Sequence, residues 1–201
     1  MTELIVATKN QGKLREIKEL LSGSDFKVTS LSDYPDAPRI EESGKTFAQN
    51  AIIKAVTVAM YTKKLTLGED SGLQVKALKN KPGIYSARFA GDNSSDEENN
   101  SKLLKDLKRT PFKKRQARYR CFMALSDGEK IVDVLSGSCS GLIALKEKGT
   151  NGFGYDPLFY IPRYQKTFGE LDPKIKAKIS HRARALLKLT KVLKIYSKKN
   201  R

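Results

Sequence analysis

The apolar positions of the chain fall into short unbroken runs and helical stripes. Leu4-Ile5-Val6-Ala7 is an unbroken run that reads as a buried strand stopping at Thr8. After Lys9-Asn10-Gln11-Gly12, residues Leu14, Ile17, Leu20 and Leu21 recur at helical spacing, which predicts a strand, a tight turn and a helix. A second extended piece, Phe26 to Leu31, leads into a Pro/Asp-rich loop at 32–39. Thr46-Phe47-Ala48-Gln49 resembles a capping box and opens a helix through about Tyr61. Its expected stripe is Phe47, Ile52, Ile53, Val56 and Met60, and its small residues allow close packing.

Leu65 to Gly68 predicts a strand that ends at Glu69-Asp70-Ser71-Gly72, and Leu73 to Leu78 alternates like another. Ser95-Asp96-Glu97-Glu98 is a second capping box, with a helix to about Leu107. Ala117 to Leu125 and Ile131 to Ser136 read as antiparallel strands turning at Asp127-Gly128. A glycine-rich loop at 149–154 precedes the apolar segment Leu158 to Ile161. Asp172-Pro173 starts a basic C-terminal helix over 173–197, with Ile175, Ile179, Leu186, Leu189 and Leu193 as its stripe and Ser180 as the place where it can break. The element order predicts a mixed α/β fold, residues 1–201 forming one domain with no repeat and no linker.

Composition narrows the class. With 39% hydrophobic and 30% charged residues the chain reads as globular, and no apolar run approaches the roughly 18 residues of a membrane span. Met1 to Ala7 has no basic n-region and too short an apolar stretch for a signal peptide, so a cytoplasmic address is expected. Cys121 and Cys139 lack metal-ligand spacing and read as reduced, buried thiols. The net charge of +17 is localised: nine basic residues against one acidic over 102–120, and eleven against none over 174–201. Such segments serve an anionic ligand, nucleic acid, or simply a solvated face.

Five stretches carry candidate chemistry. Thr8-Lys9-Asn10-Gln11-Gly12-Lys13 combines Thr and Asn side chains, a glycine and helix N–H groups, a cradle for phosphate oxygens to which Lys13 adds charge; an ordinary capped helix start has the same composition. Glu41-Glu42 and Glu69-Asp70 are hard oxygen donors of the kind Mg²⁺ takes alongside phosphates and water, and one carboxylate can instead activate water. Glutamates in loops are otherwise usually solvated. Gly152-Phe153-Gly154-Tyr155-Asp156-Pro157 permits close backbone approach to a flat ligand, with Phe153 or Tyr155 to stack and Asp156 to accept a hydrogen bond, or forms a tight turn with core aromatics. Lys176, His181 and Arg182 end the series; Lys176 and Arg182 offer only donors, which suit the O6 acceptor of a 6-oxo purine and disfavour adenine.

These stretches, together with Glu41-Glu42-Ser43-Gly44-Lys45-Thr46-Phe47, Pro82-Gly83-Ile84-Tyr85-Ser86-Ala87-Arg88 and Ser180-His181-Arg182, occur in the order seen in the inosine triphosphate pyrophosphatases, also called XTP/dITP diphosphatases, which the chain resembles from residue 4 to about 190. The resemblance implies Mg²⁺-dependent conversion of ITP, dITP and XTP to monophosphates plus pyrophosphate. It implies an elongated mixed α/β sheet flanked by helices, two lobes with an active-site cleft between them, and a homodimer. Carried over by position, Thr8, Lys9, Asn10, Gln11, Gly12 and Lys13 hold phosphates, Glu42 and Asp70 bind Mg²⁺, and Asp70 is the proton acceptor for water. Ser71 contacts substrate, Phe153, Gly154, Tyr155 and Asp156 frame the nucleoside, and Lys176, His181 and Arg182 complete base and phosphate recognition. Lys54 is a further phosphate contact. Glu69 stands where many relatives have Asp, and Asn151 where glycine is common. The rivals are a Maf-type nucleotide pyrophosphatase with a different base preference and, from another class, a nucleic-acid-binding protein using the basic segments. The latter leaves the acidic stretches unexplained, so neither a specific nucleic-acid partner nor a membrane is expected.

Overall fold

The computed structural model describes residues 2–199, so Met1 and the last two residues of the basic 174–201 segment lie outside the described residues. The fold is mixed α/β, as expected. It divides into two compact units: the first runs to Asp70 and resumes over Cys121–Gly137 and from Arg182, and the second takes Ser71–Arg120 and Ser138–His181. Neither is continuous in the chain, which is why no linker is legible.

The first unit contains β1 (Thr2–Val6), α1 (Gln11–Leu20), β2 (Phe26–Ser30), α2 (Phe47–Thr62), the start of β3 (Thr66–Val75), the end of β4 (Gln116–Ser126), the start of β5 (Ile131–Ile143) and nearly all of α5 (His181–Lys199). β1 pairs in parallel with β2 (Leu4↔Val28) and β3 (Ile5↔Thr66), and the crossovers such pairing requires are α1 and α2. Leu4 and Val6, with Leu67, Cys121, Met123 and Leu125, pack against Leu14 and Ile17 of α1 and Leu186, Leu189 and Leu193 of α5. Ile5 and Ala7 pack with Val58, and Ala124 with Ala51 and Ala55, all three on α2. Both faces of β1 are therefore covered, and its apolar run has no polar alternation.

The structure reassigns the α2 stripe. Phe47, Ala51, Ala55, Val58 and Ala59 are buried together with Asn50 and Lys54, whereas Met60 is 56% exposed and Ile52, Ile53 and Val56 are half-buried. Small residues win the inner face because Gly68 brings β3 against the helix backbone. Thr46 caps the helix by accepting from Gln49 N; the Gln49 side chain accepts from Lys45 N, so the box is completed one residue early.

The two strands expected on either side of Glu69-Asp70-Ser71-Gly72 are one ten-residue strand, β3, with those four residues in its middle. Acidic residues and glycines are poor strand formers, but here each carboxylate finds a buried partner.

The second unit holds the rest of β3, β4 and β5, with α3 (Asp96–Asp106), β6 (Phe159–Ile161), β7 (Lys166–Thr167) and α4 (Pro173–Ile179). β6 pairs antiparallel with β5 (Ile143↔Phe159) and with β7 (Tyr160↔Thr167), giving the strand order β2-β1-β3-β4-β5-β6-β7. Its core includes Leu73, Leu103, Tyr119, Leu158, Phe159 and Phe168. Ser95 and Glu98 form the expected reciprocal cap of α3. Arg115, from the basic 102–120 segment, is spent inside, donating to the carbonyls of Thr110, Leu107 and Ala144.

The basic helix expected over 173–197 does break at Ser180, whose extended backbone (ψ 162) ends α4. On α5, Leu186, Leu189 and Leu193 are buried, while Arg184, Lys188, Lys191, Lys194 and Lys198 are exposed. That is a solvated basic face over an apolar stripe. Both cysteines are buried thiols, as expected. No described helix is long and apolar enough to cross a membrane.

Candidate active site

The turn after β1 is built by its own side chains. Thr8 Oγ1 accepts from Asn10 N at 3.1 Å, and Asn10 caps α1 by accepting from Lys13 N at 2.9 Å. The first-turn N–H groups of Gln11 and Gly12 have no intrahelical acceptor and share the positive end of the helix dipole. Lys9, Asn10 and Gln11 are exposed, and Thr8, Gly12 and Lys13 are half-buried.

Consecutive residues of a strand point to opposite faces, so Glu69 and Asp70 enter different surroundings. Glu69 joins α1 and α5: Arg182 Nε and Nη2 donate to its two oxygens, each at 3.1 Å, and Lys13 Nζ lies 3.6 Å away. Arg182 Nη1 also pairs with Glu16. A charge this deep must be paired, and at 2% exposure Arg182 is.

Asp70 faces α2. Its Oδ1 accepts from Lys54 Nζ at 2.9 Å and its Oδ2 from Asn50 Nδ2 at 3.3 Å. The same Lys54 Nζ is 2.9 Å from Glu42 Oε2 and 3.3 Å from the carbonyl oxygen of Glu69. Asn50 Oδ1 accepts from Gly44 N at 2.8 Å and so ties the acidic loop to the helix. Glu42 and Asp70, 28 positions apart in the chain, thus meet at one ammonium. Burial raises the Asp70 carboxyl above the ordinary aspartate value, outweighing the nearby Lys54 and Lys13 charges. Burial pulls Lys54 down, but Asp70 and Glu42 more than offset it, so Lys54 stays an ammonium with its proton held above the ordinary lysine value.

Two carboxylates share one ammonium, so the cluster keeps an excess negative charge. That donor set fits a divalent ion completed by phosphate oxygens and water. Among the described residues no group of three or more His, Cys, Asp or Glu is placed to hold a metal unaided.

The other expected residues lie in the second unit and serve it in part structurally. Ser71 follows Asp70 on β3 and is half-buried. Tyr155 is buried and donates its hydroxyl to Ser86 O at 2.7 Å, so of the two aromatics considered for stacking only Phe153 stays partly accessible. Asp156 Oδ2 accepts from Phe153 N at 2.9 Å and Lys176 Nζ at 2.7 Å, and it faces Gly152 so closely that a Cβ there would lie 2.0 Å away. Lys176 Nζ also lies 5.0 Å from the Phe153 ring centroid. Gly154, at φ +62, is gripped at both ends: its N–H donates to Asp96 Oδ2 at 2.6 Å and its carbonyl accepts from Asn100 Nδ2 at 3.2 Å. His181 is buried and stacked on Tyr119 with centroids 4.6 Å apart.

Two readings of the sequence change here. The donors of Lys176 and Arg182, expected to face a purine O6, are engaged by Asp156, Glu69 and Glu16, so their geometry by itself gives no base preference. Asn50, Glu16, Asp96 and Asn100 were not expected at all. The legible signal was polar residues repeating at i+3 or i+4: Asn50 with Lys54, Lys13 with Glu16, Asp96 with Asn100.

A capped helix start, a Glu/Asp pair around one ammonium and a buried carboxylate with raised proton affinity fit the class of proteins that hydrolyse phosphoanhydrides. Residues 4–192 match the model of the Ham1 family, to which the chain belongs. It is 48% identical over 191 residues to a dITP/XTP pyrophosphatase of Desulforamulus reducens, covering 95% of each chain. With that of Geobacter sulfurreducens it shares 50% over 187 residues, 92% of this chain and 94% of the relative. Among solved structures, a HAM1 protein from Coxiella burnetii superposes with a TM-score of 0.88 at 42% identity, covering 96% and 99% of the two chains. The nucleoside-triphosphatase, dITP/XTP pyrophosphatase, of Mycobacterium abscessus gives 0.75 at 37%, covering 94% and 97%.

Proposed function

We propose that the protein hydrolyses dITP, XTP and ITP to the monophosphate and pyrophosphate, clearing non-canonical purines from the nucleotide pool. The observation that carries the reading is the meeting of Glu42 and Asp70 at one cationic position, in a chain nearly half identical to dITP/XTP pyrophosphatases. Asp70 accepts the proton of a water that attacks the α-phosphorus. Its raised proton affinity suits that role, because a general base works best when its pKa moves toward the working pH. The N–H groups of the first turn of α1, with Thr8, Asn10 and Lys13, hold phosphate oxygens. Glu42 and Asp70 hold Mg²⁺, which when bound supplies positive charge for the oxygens that become more negative during the displacement. Phe153 stacks on the base, and Lys176 and Asp156 keep its ring and loop in place. Preference for 6-oxo purines rests on the family likeness, as do a homodimer and a cytoplasmic address.

The test is a substrate panel with product analysis. With Mg²⁺, dITP and XTP should give pyrophosphate much faster than dATP, and chelation should stop the reaction. Orthophosphate as first product, or faster turnover of a pyrimidine triphosphate as the Maf-type rival requires, would overturn the proposal.

A further inference from the structure

Lys54 has three N–H bonds, and the protein takes all three. They point to Glu42 Oε2 and Asp70 Oδ1, each at 2.9 Å, and to the Glu69 carbonyl oxygen at 3.3 Å. The ammonium therefore occupies the point on which the two candidate metal-binding carboxylates converge. It is 8% exposed, and its helix is fixed to β3 by the close approach of Gly68 to Ala51 and Ala55. Asn50 secures the other end of the arrangement, holding Asp70 Oδ2 and the loop amide of Gly44.

A divalent cation arriving alone would gain only two carboxylates here, since no third His, Cys, Asp or Glu stands close among the described residues. It would also have to displace an ammonium whose three partners lie within the protein, and Mg²⁺ gives up its own water reluctantly. A cation arriving on a triphosphate faces a different balance. The phosphates bring further oxygen ligands, and they offer the displaced ammonium new acceptors in place of those it loses.

We propose that Lys54 is the resident counter-ion of the Glu42–Asp70 pair, excluding a divalent cation from it until a triphosphate brings one in. Lys54 then exchanges the two carboxylate oxygens for phosphate oxygens. The inference rests on the proposed function for the identity of the nucleotide, but its first test needs none.

That test is Mn²⁺ binding to the nucleotide-free protein, followed by the EPR signal of free Mn²⁺. The wild type should bind weakly, and Lys54→Met should bind roughly tenfold more tightly or better, because removing the ammonium frees both carboxylates. Adding Glu42→Gln to Lys54→Met should cancel the gain. Equal Mn²⁺ affinity in wild type and a folded Lys54→Met would overturn the proposal. A second measurement uses the unaltered protein, should the variant fail to fold: the NMR resonance of the Lys54 ammonium. Mg²⁺ alone should leave it in place, and Mg²⁺ with a non-hydrolysable α,β-methylene dITP analogue should shift it. A full shift with Mg²⁺ alone would equally overturn the idea. Absence of dITP hydrolysis in the substrate panel would sink the functional reading while leaving the Mn²⁺ result intact.

Discussion

Replacing Gly68 with alanine puts a methyl group where helix α2 already lies. A Cβ at that position would stand 2.1 Å from the carbonyl oxygen of Ala51 and 2.5 Å from the amide nitrogen of Ala55. Both are backbone atoms, so no side-chain rotation relieves the clash. Interiors are packed too densely to absorb it, and restoring van der Waals contact moves the helix away from β3 by about 1 Å or more. Overpacking of this kind costs about 1–3 kcal/mol. At about 2–4 °C per kcal/mol for a chain of this size, Tm should fall by several degrees. The functional loss should be larger, because the same helix carries Asn50 and Lys54 to Asp70, two residues along β3 from the substituted glycine. A misplacement of about 1 Å at reacting groups costs on the order of 100-fold in rate. Purified Gly68→Ala should therefore lose far more kcat on dITP than its stability at the assay temperature explains. Wild-type kcat together with an unchanged Tm would refute the packing argument.

Three further outcomes follow from the ion pairs. Asp70→Asn should lower kcat by about 10²–10⁴-fold, the usual worth of a general base, while a non-hydrolysable analogue still binds in calorimetry; full activity would remove Asp70 from its role. Glu69→Ala leaves the buried Arg182 with Glu16 as its remaining carboxylate partner among the contacts described and should cost about 3–5 kcal/mol in urea unfolding; an unchanged midpoint would mean the pair is idle. Glu3 accepts from Thr29, Tyr34 and Lys64, and the Lys64 bond first, then that from Tyr34, hold its pKa down from 4.5 to about 2. The folded value lies below the unfolded one, so this contribution is present above pH 4.5 and fades as pH falls toward 2. Glu3 is partly open to water, which limits it to about 1 kcal/mol or less. Glu3→Gln should thus be less stable than wild type at pH 7, with the gap shrinking below pH 4.5 and closing only as pH reaches about 2; a pH-independent gap would contradict the assignment.

The parts of this fold governed by short-range pattern were legible in the sequence. The run Leu4-Ile5-Val6-Ala7, the turn at Asn10 and the spacing of Leu14 and Ile17 specify a strand–turn–helix without outside help. Ser95 with Glu98, and Asp172 with Pro173, mark helix starts for the same reason. What stayed hidden depends on partners distant in sequence. Glu69-Asp70 reads as an interruption between two strands, because Arg182 and Lys54, which satisfy the two carboxylates from opposite faces of the strand, are distant in sequence or unmarked as partners. The inner face of α2 was obscured because alanines signal burial weakly, and only Gly68 across from them makes that face the tight one. Lys176 and Arg182 stand out in the sequence as donors for a ligand, but their donors prove to be engaged by Asp156 and Glu69. Oxygen chemistry marks the pairs Glu41-Glu42 and Glu69-Asp70, and the resemblance singles out Glu42 and Asp70; that an ammonium stands between them is not legible in spacing.

The site of water attack decides the mechanism. Hydrolysis of dITP in ¹⁸O-labelled water, with Mg²⁺ present and the products separated for mass spectrometry, reads this directly. Attack on the α-phosphorus by a water that Asp70 deprotonates places the label in the monophosphate and leaves the pyrophosphate unlabelled. Label in the pyrophosphate would mean attack on the β-phosphorus and would contradict the mechanism at its centre.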